Sequence, residues 1–376
     1  MNVTSVKRIH QSDWTDSGVR FLRARDIVAA AKNEEPDDYL YISKEKYEEY
    51  STLSGKVGVS DLLVTGVGTI GVPYLVRNLE PLYFKDGNII WFQNSDKIDG
   101  KFLFYSFSAE QIQGFINESA GIGTVGTYTI ESGKKTPISL PNQIEQAKVG
   151  EFFQQLDNLI TLHQRKFEKL TNVKKSMLEK MFPQNGSSYP EIRFKGFTDP
   201  WERRKFEEIA VRSSVICSDD TLPRVEYEDI VSGTGRLNKD IYAKQSSKSG
   251  IVFHQGDVLY GKLRPYLQNW LLPTFDGLAV GDFWVLQPQN ADSSFLYRLI
   301  QSRQFDEVAN QSTGTKMPRA DWKLVSKTVF SIPSNISEQA AIGTYFTALD
   351  SLITLHQREL EKLQNIKKSM LEKMFV

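Results

Sequence analysis

The sequence predicts a mixed α+β protein: two α/β globular domains, each followed by a long helix, with the two helices pairing antiparallel as a coiled coil about an internal pseudo-two-fold. Three observations predict it. First, a stretch of some forty residues occurs twice, at 143–182 and 336–376; with Glu145 laid on Glu338, an offset of 193 (338 − 145), 27 of the 38 positions up to Phe182 and Phe375 agree. Second, each copy carries apolar residues at three-four spacing, the period of an amphipathic helix. Third, the blocks ahead of the two copies share the order and spacing of their short strand-like runs. The expected domains are therefore 1–142, a helix at 143–182, a second globular domain at 183–334 and a C-terminal helix at 335–376.

In the first block, strand-like runs fall at 39–43, 61–65, 73–77, 89–93 and 136–140, with a helix expected over 101–117. In the second block they fall at 250–253, 257–260, 277–280, 283–286 and 328–332, with a helix over 293–311. Residue-level anchors tie the blocks together. Asp26-Ile27 answers Asp229-Ile230, Asp61-Leu62-Leu63-Val64 answers Asp257-Val258-Leu259-Tyr260, and Pro141 answers Pro333 just ahead of each helix. A proline there permits a helix to begin but not to extend backwards.

The stripe of the first helix comprises Val149, Phe152, Leu156, Leu159, His163, Phe167, Leu170, Val173, Met177 and Met181. The second repeats it through Ile342, Tyr345, Leu349, Leu352, His356, Leu360, Leu363, Ile366, Met370 and Met374. The expected helix–helix interface is Leu156, Leu159, His163, Phe167 and Leu170 against Leu349, Leu352, His356, Leu360 and Leu363. A helix of forty residues, about 60 Å long, needs a partner of equal length to bury such a stripe. The other copy is the nearest candidate, and a parallel pair would put both domains at one end.

Composition bounds the function class. The chain has 376 residues, 40% hydrophobic and 24% charged, and its 46 basic and 46 acidic side chains give no net charge. Charge balance excludes a simple polyanion sink, so any nucleic-acid role must lie in local patches. The sequence has no uninterrupted apolar stretch of membrane-span length and no apolar signal region near Met1. The lone cysteine, Cys217, excludes internal disulfides and fits a reducing, cytoplasmic setting.

On these residues the chain resembles the specificity subunits of type I restriction-modification systems. The resemblance rests on the doubled Leu-Ile-Thr-Leu-His-Gln-Arg core at 159–165 and 352–358 and on the Lys-Lys-Ser-Met-Leu-Glu-Lys-Met-Phe ends at 174–182 and 367–375. Further support comes from the 256–266 run, from Ser312-Thr313-Gly314, and from Phe194-Lys195-Gly196-Phe197 with Trp201-Glu202. It covers essentially the whole chain. The resemblance implies that each globular block is a target-recognition domain reading one half of an asymmetric, bipartite double-stranded DNA site. The helices would set the spacing and dock methyltransferase subunits, two of them, with restriction and translocase subunits joining the full complex. Two readers about 60 Å apart would meet DNA features one or two turns apart, about 34 Å each. It also implies that this chain is non-catalytic and holds no cofactor, S-adenosylmethionine and ATP with magnesium belonging to the partners. One departure stands out. Residues 191–210 precede the second domain without an equivalent before the first, whose Met1 aligns near Arg204, so the first domain is expected to lack its opening strand.

Candidate DNA contacts in the second block are Lys262, Arg264, Tyr266 and Gln268 after a strand, and Lys316, Arg319 and Trp322 after Ser312-Thr313-Gly314. In the first block they are Thr69, Thr124, Tyr128, Lys134 and Lys135, with Arg20, Arg23 and Arg25 as a further basic cluster. Arginine and glutamine can pair bidentately with guanine and adenine edges, while lysine mostly holds phosphate. Surface loops carry charge in any case, so the loops collectively are the stronger expectation.

Other motifs carry less weight. The G-x-G-x-x-G runs at 66–71 and 121–126 do not lie between a strand and a helix, as a dinucleotide fold requires. The run at 256–262 matches a phosphate loop only as far as its lysine, with Leu263 in place of the hydroxyl residue. His163 has no second metal ligand one turn away and His356 has only Glu359, so both are expected as packed interface residues. The sequence has no Asn-Pro or Asp-Pro-Pro-Tyr methyltransferase motif and no Glu-x-Lys nuclease pair. The alternative of a different class is a coiled-coil scaffold or adaptor with two ligand-binding domains and no DNA role.

Overall fold

The structure, a computed structural model, describes residues 1–94, 97–121, 126–184, 186–243, 246–311 and 317–375. It divides into two units, each drawing on both long helices: unit 1 is residues 1–164 with 358–376, and unit 2 is residues 165–357. The helices run Gln143–Lys180 and Ile336–Met374.

Unit 1 is a sandwich of two four-stranded sheets. One is antiparallel, in the order Asn2–Thr4, Ile89–Gln93, Leu62–Thr65, Pro73–Leu75. The other orders Trp14–Thr15, Leu40–Ile42, Val19–Leu22 and Leu82–Phe84, with only the last pair parallel. Strand Leu62–Thr65 is buried on both faces. Its Leu62 and Val64 join Phe92, Phe102 and Phe107 on the helical side, while Leu63 joins Phe21, Phe84 and Trp91 between the sheets. Such a run shows no polar alternation because neither face meets water.

Unit 2 repeats the first sheet as Ala210–Ser213, Phe283–Pro288, Val258–Gly261 and Trp270–Leu271. The second sheets diverge. In unit 1 the antiparallel neighbour Leu40–Ile42 extends from Val19–Leu22, whereas in unit 2 Gly250–Phe253 extends from Gly277–Ala279, leaving Arg224–Val225 at the edge. Unit 2 has in addition the two-stranded sheet Glu202–Lys205 with Val329–Ile332.

The anchor residues are conserved between units because each closes the same hydrogen bond. Asp26 accepts from Arg23 N (2.8 Å) and Asp229 from Glu226 N (2.7 Å); Asp61 accepts from Gly58 N (2.8 Å) and Asp257 from His254 N (2.9 Å). Each reaches three residues back and closes a tight turn. The helices dock the same way. Gln146 accepts from Asp99 N at 3.0 Å and donates to Pro141 O at 2.8 Å; Gln339 accepts from Asp292 N at 2.9 Å and donates to Pro333 O at 2.8 Å. Gly150 permits that approach, since a methyl group there would lie 2.7 Å from Asp99 Oδ1.

Within unit 1 the two helix segments run antiparallel, Phe153 meeting Phe375 and Asp157 meeting Lys367. Asp157 accepts from Lys367 at 2.6 Å and from Tyr105 at 2.7 Å. Unit 2 repeats the node, Asp350 accepting from Lys174 and from Arg298, both at 2.7 Å.

Several expectations need correction. Residues 136–140 form no strand, whereas their counterparts Val329–Ile332 do, because only the latter have a strand to pair with. The helix expected over 101–117 is two, Gly100–Ser108 and Glu110–Ser119, broken where Ala109 is extended (φ −79°, ψ 150°). Its counterpart over 293–311 breaks likewise at Ser302, which caps the second piece, giving Ser293–Leu299 and Arg303–Ala309. The helix stripe is rotated from the expected one. Phe153 and Phe346 are fully buried while Phe152 is 38% exposed, and Leu159 and Leu352 stand 43% and 44% exposed. A strict three-four count drifts from the 3.6-residue turn, and the N-terminal halves of both helices face their own globular cores, into which Leu156 and Leu349 are packed. His163, Phe167 and Leu360 are half-buried; Leu170 packs on the unit 2 core and Leu363 on the unit 1 core.

Candidate nucleic-acid interface

In each unit three segments meet beyond the first sheet, joined by equivalent backbone bonds. In unit 1 Tyr128 N donates to Gly66 O and Gly66 N to Asn88 O, both at 2.8 Å. In unit 2 Ala320 N donates to Lys262 O and Lys262 N to Asp282 O, both at 2.9 Å. The participating loops are the hairpin between Leu62–Thr65 and Pro73–Leu75 and the one between Val258–Gly261 and Trp270–Leu271. The framework is shared, and the side chains it presents differ.

The unit 2 cluster is built around Tyr227 and Asp282. Tyr227 Oη accepts from Leu263 N at 2.8 Å and lies 3.1 and 3.2 Å from the carbonyls of Leu263 and Asp282. Burial pushes the Tyr227 hydroxyl well above the ordinary tyrosine range, so it stays a neutral donor. The Asp282 carboxylate reaches Arg319 at 3.1 Å and Lys262 at 3.5 Å. Burial pushes its pKa up, and the hydrogen bond and charge of Arg319, with Lys262, outweigh that and leave it lowered. Leu263 and Arg319 form a β-bridge, and Arg264 N donates to Pro318 O at 2.8 Å.

Lys262, Arg264, Tyr266, Gln268 and Arg319 are thus brought together. Arg264 (φ 49°) and Gln268 (φ 55°) both occupy the left-handed region at the two ends of the short turn Pro265–Leu267. Left-handed backbone costs a non-glycine residue about 1–3 kcal/mol, so the fold holds both side chains in place against that cost. Tyr266 at the tip is exposed, and the Arg264 guanidinium, also exposed, makes no hydrogen bond or ion pair among the described residues.

The remaining candidates divide. Thr124 and Lys316 lie outside the described residues. Trp322 is committed to the core, edge-on to Trp284 and Phe206 with Arg212 over its ring. Tyr128 is buried and bonded to the Thr136 hydroxyl, with its own hydroxyl pushed up to about 12 by burial. Arg23 forks onto Asp26 (2.9 and 3.0 Å) and reaches Asp38 at 2.9 Å, so it organises the start of helix Ala24–Ala31. Arg25 shares Asp38, and Arg20 stacks on the Tyr39 ring at 3.8 Å. The basic cluster is therefore largely neutralised by two aspartates that lie away from it in sequence or facing inward. Thr69 is exposed at its hairpin tip, Lys135 is exposed, and Lys134 pairs with Glu131 at 2.8 Å. Tyr227 and Asp282 were not expected; Lys262 and Arg319, 57 residues apart (319 − 262), meet only through Asp282, which left no local signal of either.

Loop 66–71 is a hairpin turn rather than a strand-to-helix turn, which removes the geometry a dinucleotide needs. Among the described residues no group of three metal-ligating side chains gathers, and no helix is long and apolar enough to cross a membrane. A concavity of unit 1, about 1230 Å³, lies away from the loops, among Arg77, Phe104, Gln154, Asp157 and Lys367.

A duplicated framework with unlike polar loop clusters defines a two-part recognition protein. Residues 21–172 and 222–365 match the family described as Type I restriction modification DNA specificity domain, and the chain belongs to that family. It is a specificity subunit of a type I restriction-modification system, acting in DNA target recognition. Curated relatives include the Type I restriction enzyme MjaVIII specificity subunit of Methanocaldococcus jannaschii, 23% identical over 306 residues, spanning 74% of this chain and 70% of that one. The Type I restriction enzyme EcoDI specificity subunit of Escherichia coli is 25% identical over 207 residues, 52% of this chain and 46% of the other. The fold is shared with the crystal structure of the Type-I restriction-modification system S subunit from M. genitalium, at TM-score 0.61 and 13% identity, over 100% of this chain and 93% of that one. None of these supports a scaffold without a DNA role.

Proposed function

We propose that each unit reads one half of an asymmetric bipartite duplex through its three-segment loop cluster. The observation that carries this is the equivalent backbone framework of the two clusters combined with their unlike side chains. In unit 2 Arg264 and Gln268 address base edges, Lys262 and Arg319 address phosphate, and Tyr266 packs against the backbone or a base. In unit 1 Thr69, Lys134 and Lys135 take part. The chain is non-catalytic: methyl transfer, cleavage and translocation, with S-adenosylmethionine and ATP with magnesium, belong to partner subunits in the cytoplasm. Repeat-equivalent exposed leucines, Leu159 with Leu162 in unit 1 and Leu352 with Leu355 in unit 2, support one methyltransferase docking face per unit. Mapping methylated sites in cells with and without this chain tests the reading. A split motif that disappears with the chain is expected; an unchanged methylation pattern overturns it.

A further inference from the structure

In unit 1 the hairpin loop between Leu62–Thr65 and Pro73–Leu75 is tied across its own neck. The Thr65 hydroxyl donates to Thr69 O at 2.6 Å and accepts from Val72 N at 2.9 Å. Gln113 adds a bond from helix Glu110–Ser119 to Gly71 O at 2.8 Å.

Unit 2 cannot tie its loop in the same way. Four residues after Asp257, as Thr65 stands four after Asp61, is Gly261, which has no hydroxyl to offer. A methyl group on Gly261 would lie 2.6 Å from Tyr227 Oη and 2.8 Å from Asn269 O, so the tyrosine fills the space a side chain there would need. Residues 226–238 instead form a bracket that holds both legs of the loop. Tyr227 Oη accepts from Leu263 N on the first leg at 2.8 Å. On the second leg Gly233 N donates to Gln268 O at 3.0 Å, and Ser232 Oγ donates to Asn269 Oδ1 at 3.0 Å.

The bracket is in turn seated on the long helix Ile336–Met374. Its strands Ile230–Val231 and Arg236–Leu237 form a two-stranded sheet of their own. A two-stranded ribbon is marginal by itself, so its place follows from what it is bonded to. Gly235 turns in the left-handed region (φ 66°) against Tyr297, whose Oη would lie 1.7 Å from a methyl group there. Next to it the half-buried Arg236 donates from Nη2 to Gln357 Oε1 at 2.8 Å, a bond between residues 121 apart in the chain.

We propose that Arg236 is a positioning residue for base reading in unit 2. By holding the bracket to the helix through Gln357, it fixes Gln268 and so the base that Gln268 addresses. Hydrogen bonds to a base edge are directional, and a side chain that makes them must be held within about 0.5 Å of its productive place. Gln268 has left-handed backbone (φ 55°), a conformation that persists only while the bonds around it hold. Arg236 acts through Gln268 and not on DNA. This role presupposes that loop 264–268 reads DNA, as proposed above.

The test measures binding of the assembled complex to its selected split site and to every single-base variant of that site. Arg236→Met keeps the aliphatic stem and removes the donor. It is expected to reduce discrimination about five- to tenfold at the base pair where Gln268→Ala also loses it. The other half-site is read as before, and the slope of log affinity against log salt is unchanged. Arg236→Lys, which keeps a donor for Gln357, restores most of the discrimination, and adding Arg236→Met to Gln268→Ala causes no further loss. Discrimination that changes with only one of Arg236→Met and Gln268→Ala overturns the role of Arg236, and discrimination that changes with neither sinks the loop reading as well. A salt slope reduced by about one would make Arg236 a phosphate contact and overturn the positioning role. So would equal losses in both halves of the site, or a lower melting temperature with discrimination intact, which marks a side chain that only supports the fold.

Discussion

Asp157 receives a proton donor from each side of unit 1, the Lys367 ammonium at 2.6 Å and the Tyr105 hydroxyl at 2.7 Å. Its counterpart Asp350 receives Lys174 and Arg298, so the lysine is kept between repeats while the donor from the globular part changes from tyrosine to arginine. Burial, reinforced by the Asp157 carboxylate, drives the Tyr105 hydroxyl far above its ordinary range, so it serves only as a donor. Asp157→Ala strands that buried hydroxyl and is expected to cost about 2 kcal/mol, with Tyr105→Phe costing about 1 kcal/mol. Urea unfolding of both variants checks this; equal, negligible losses would mean the node is idle.

Acid should act on unit 2 through Asp282. Its folded pKa lies below the ordinary carboxylate range, so its ion pairs contribute stability above that range, and the contribution is lost as pH falls through the folded pKa. The melting temperature of Asp282→Asn should therefore lie below that of the parent at pH 7, and the gap should narrow towards pH 3. A gap that widens on acidification contradicts the assignment.

Strain at the loop tip sets stability against recognition. Arg264→Gly and Gln268→Gly each place glycine where the backbone is left-handed, so each is expected to raise stability by about 1 kcal/mol. Each should also relax one base position in a single half of the target by about 1–3 kcal/mol while the other half is read as before. Selection from random duplexes with the assembled complex measures it.

Lys262→Ala and Arg319→Ala should weaken binding to all sequences alike. Each is expected to reduce the slope of log affinity against log salt by about one. A change in preferred sequence with an unchanged salt slope would move these side chains from phosphate to base contacts.

Leu159→Ser with Leu162→Ser, and separately Leu352→Ser with Leu355→Ser, remove exposed apolar surface and should leave the free energy of unfolding within about 0.5 kcal/mol of the parent. Each pair should reduce the methyltransferase subunits recovered with the chain, one docking face at a time. Full recovery with both pairs changed would place docking elsewhere.

The duplication, the two long helices, the positions of most strands and the anchors Asp26, Asp61, Asp229 and Asp257 were all legible in the chain order, because each is a local pattern: a repeat, a period, or a carboxylate reaching three residues back. The family followed from the same residues. What tertiary structure decided were choices with no local signature. It turned the helix stripe towards Phe153 and Phe346, since the globular core each helix packs on sets its buried face. It drew Arg23 and Trp322 away from the surface, because Asp26, Asp38 and Trp284 reach them only in the fold. It made residues 329–332 a strand and left 137–140 unpaired although their sequences align, because a strand exists only where another chain segment completes its hydrogen bonds. And it gathered Lys262, Arg319 and Asp282 around Tyr227, a cluster that distance in sequence conceals and folding alone creates.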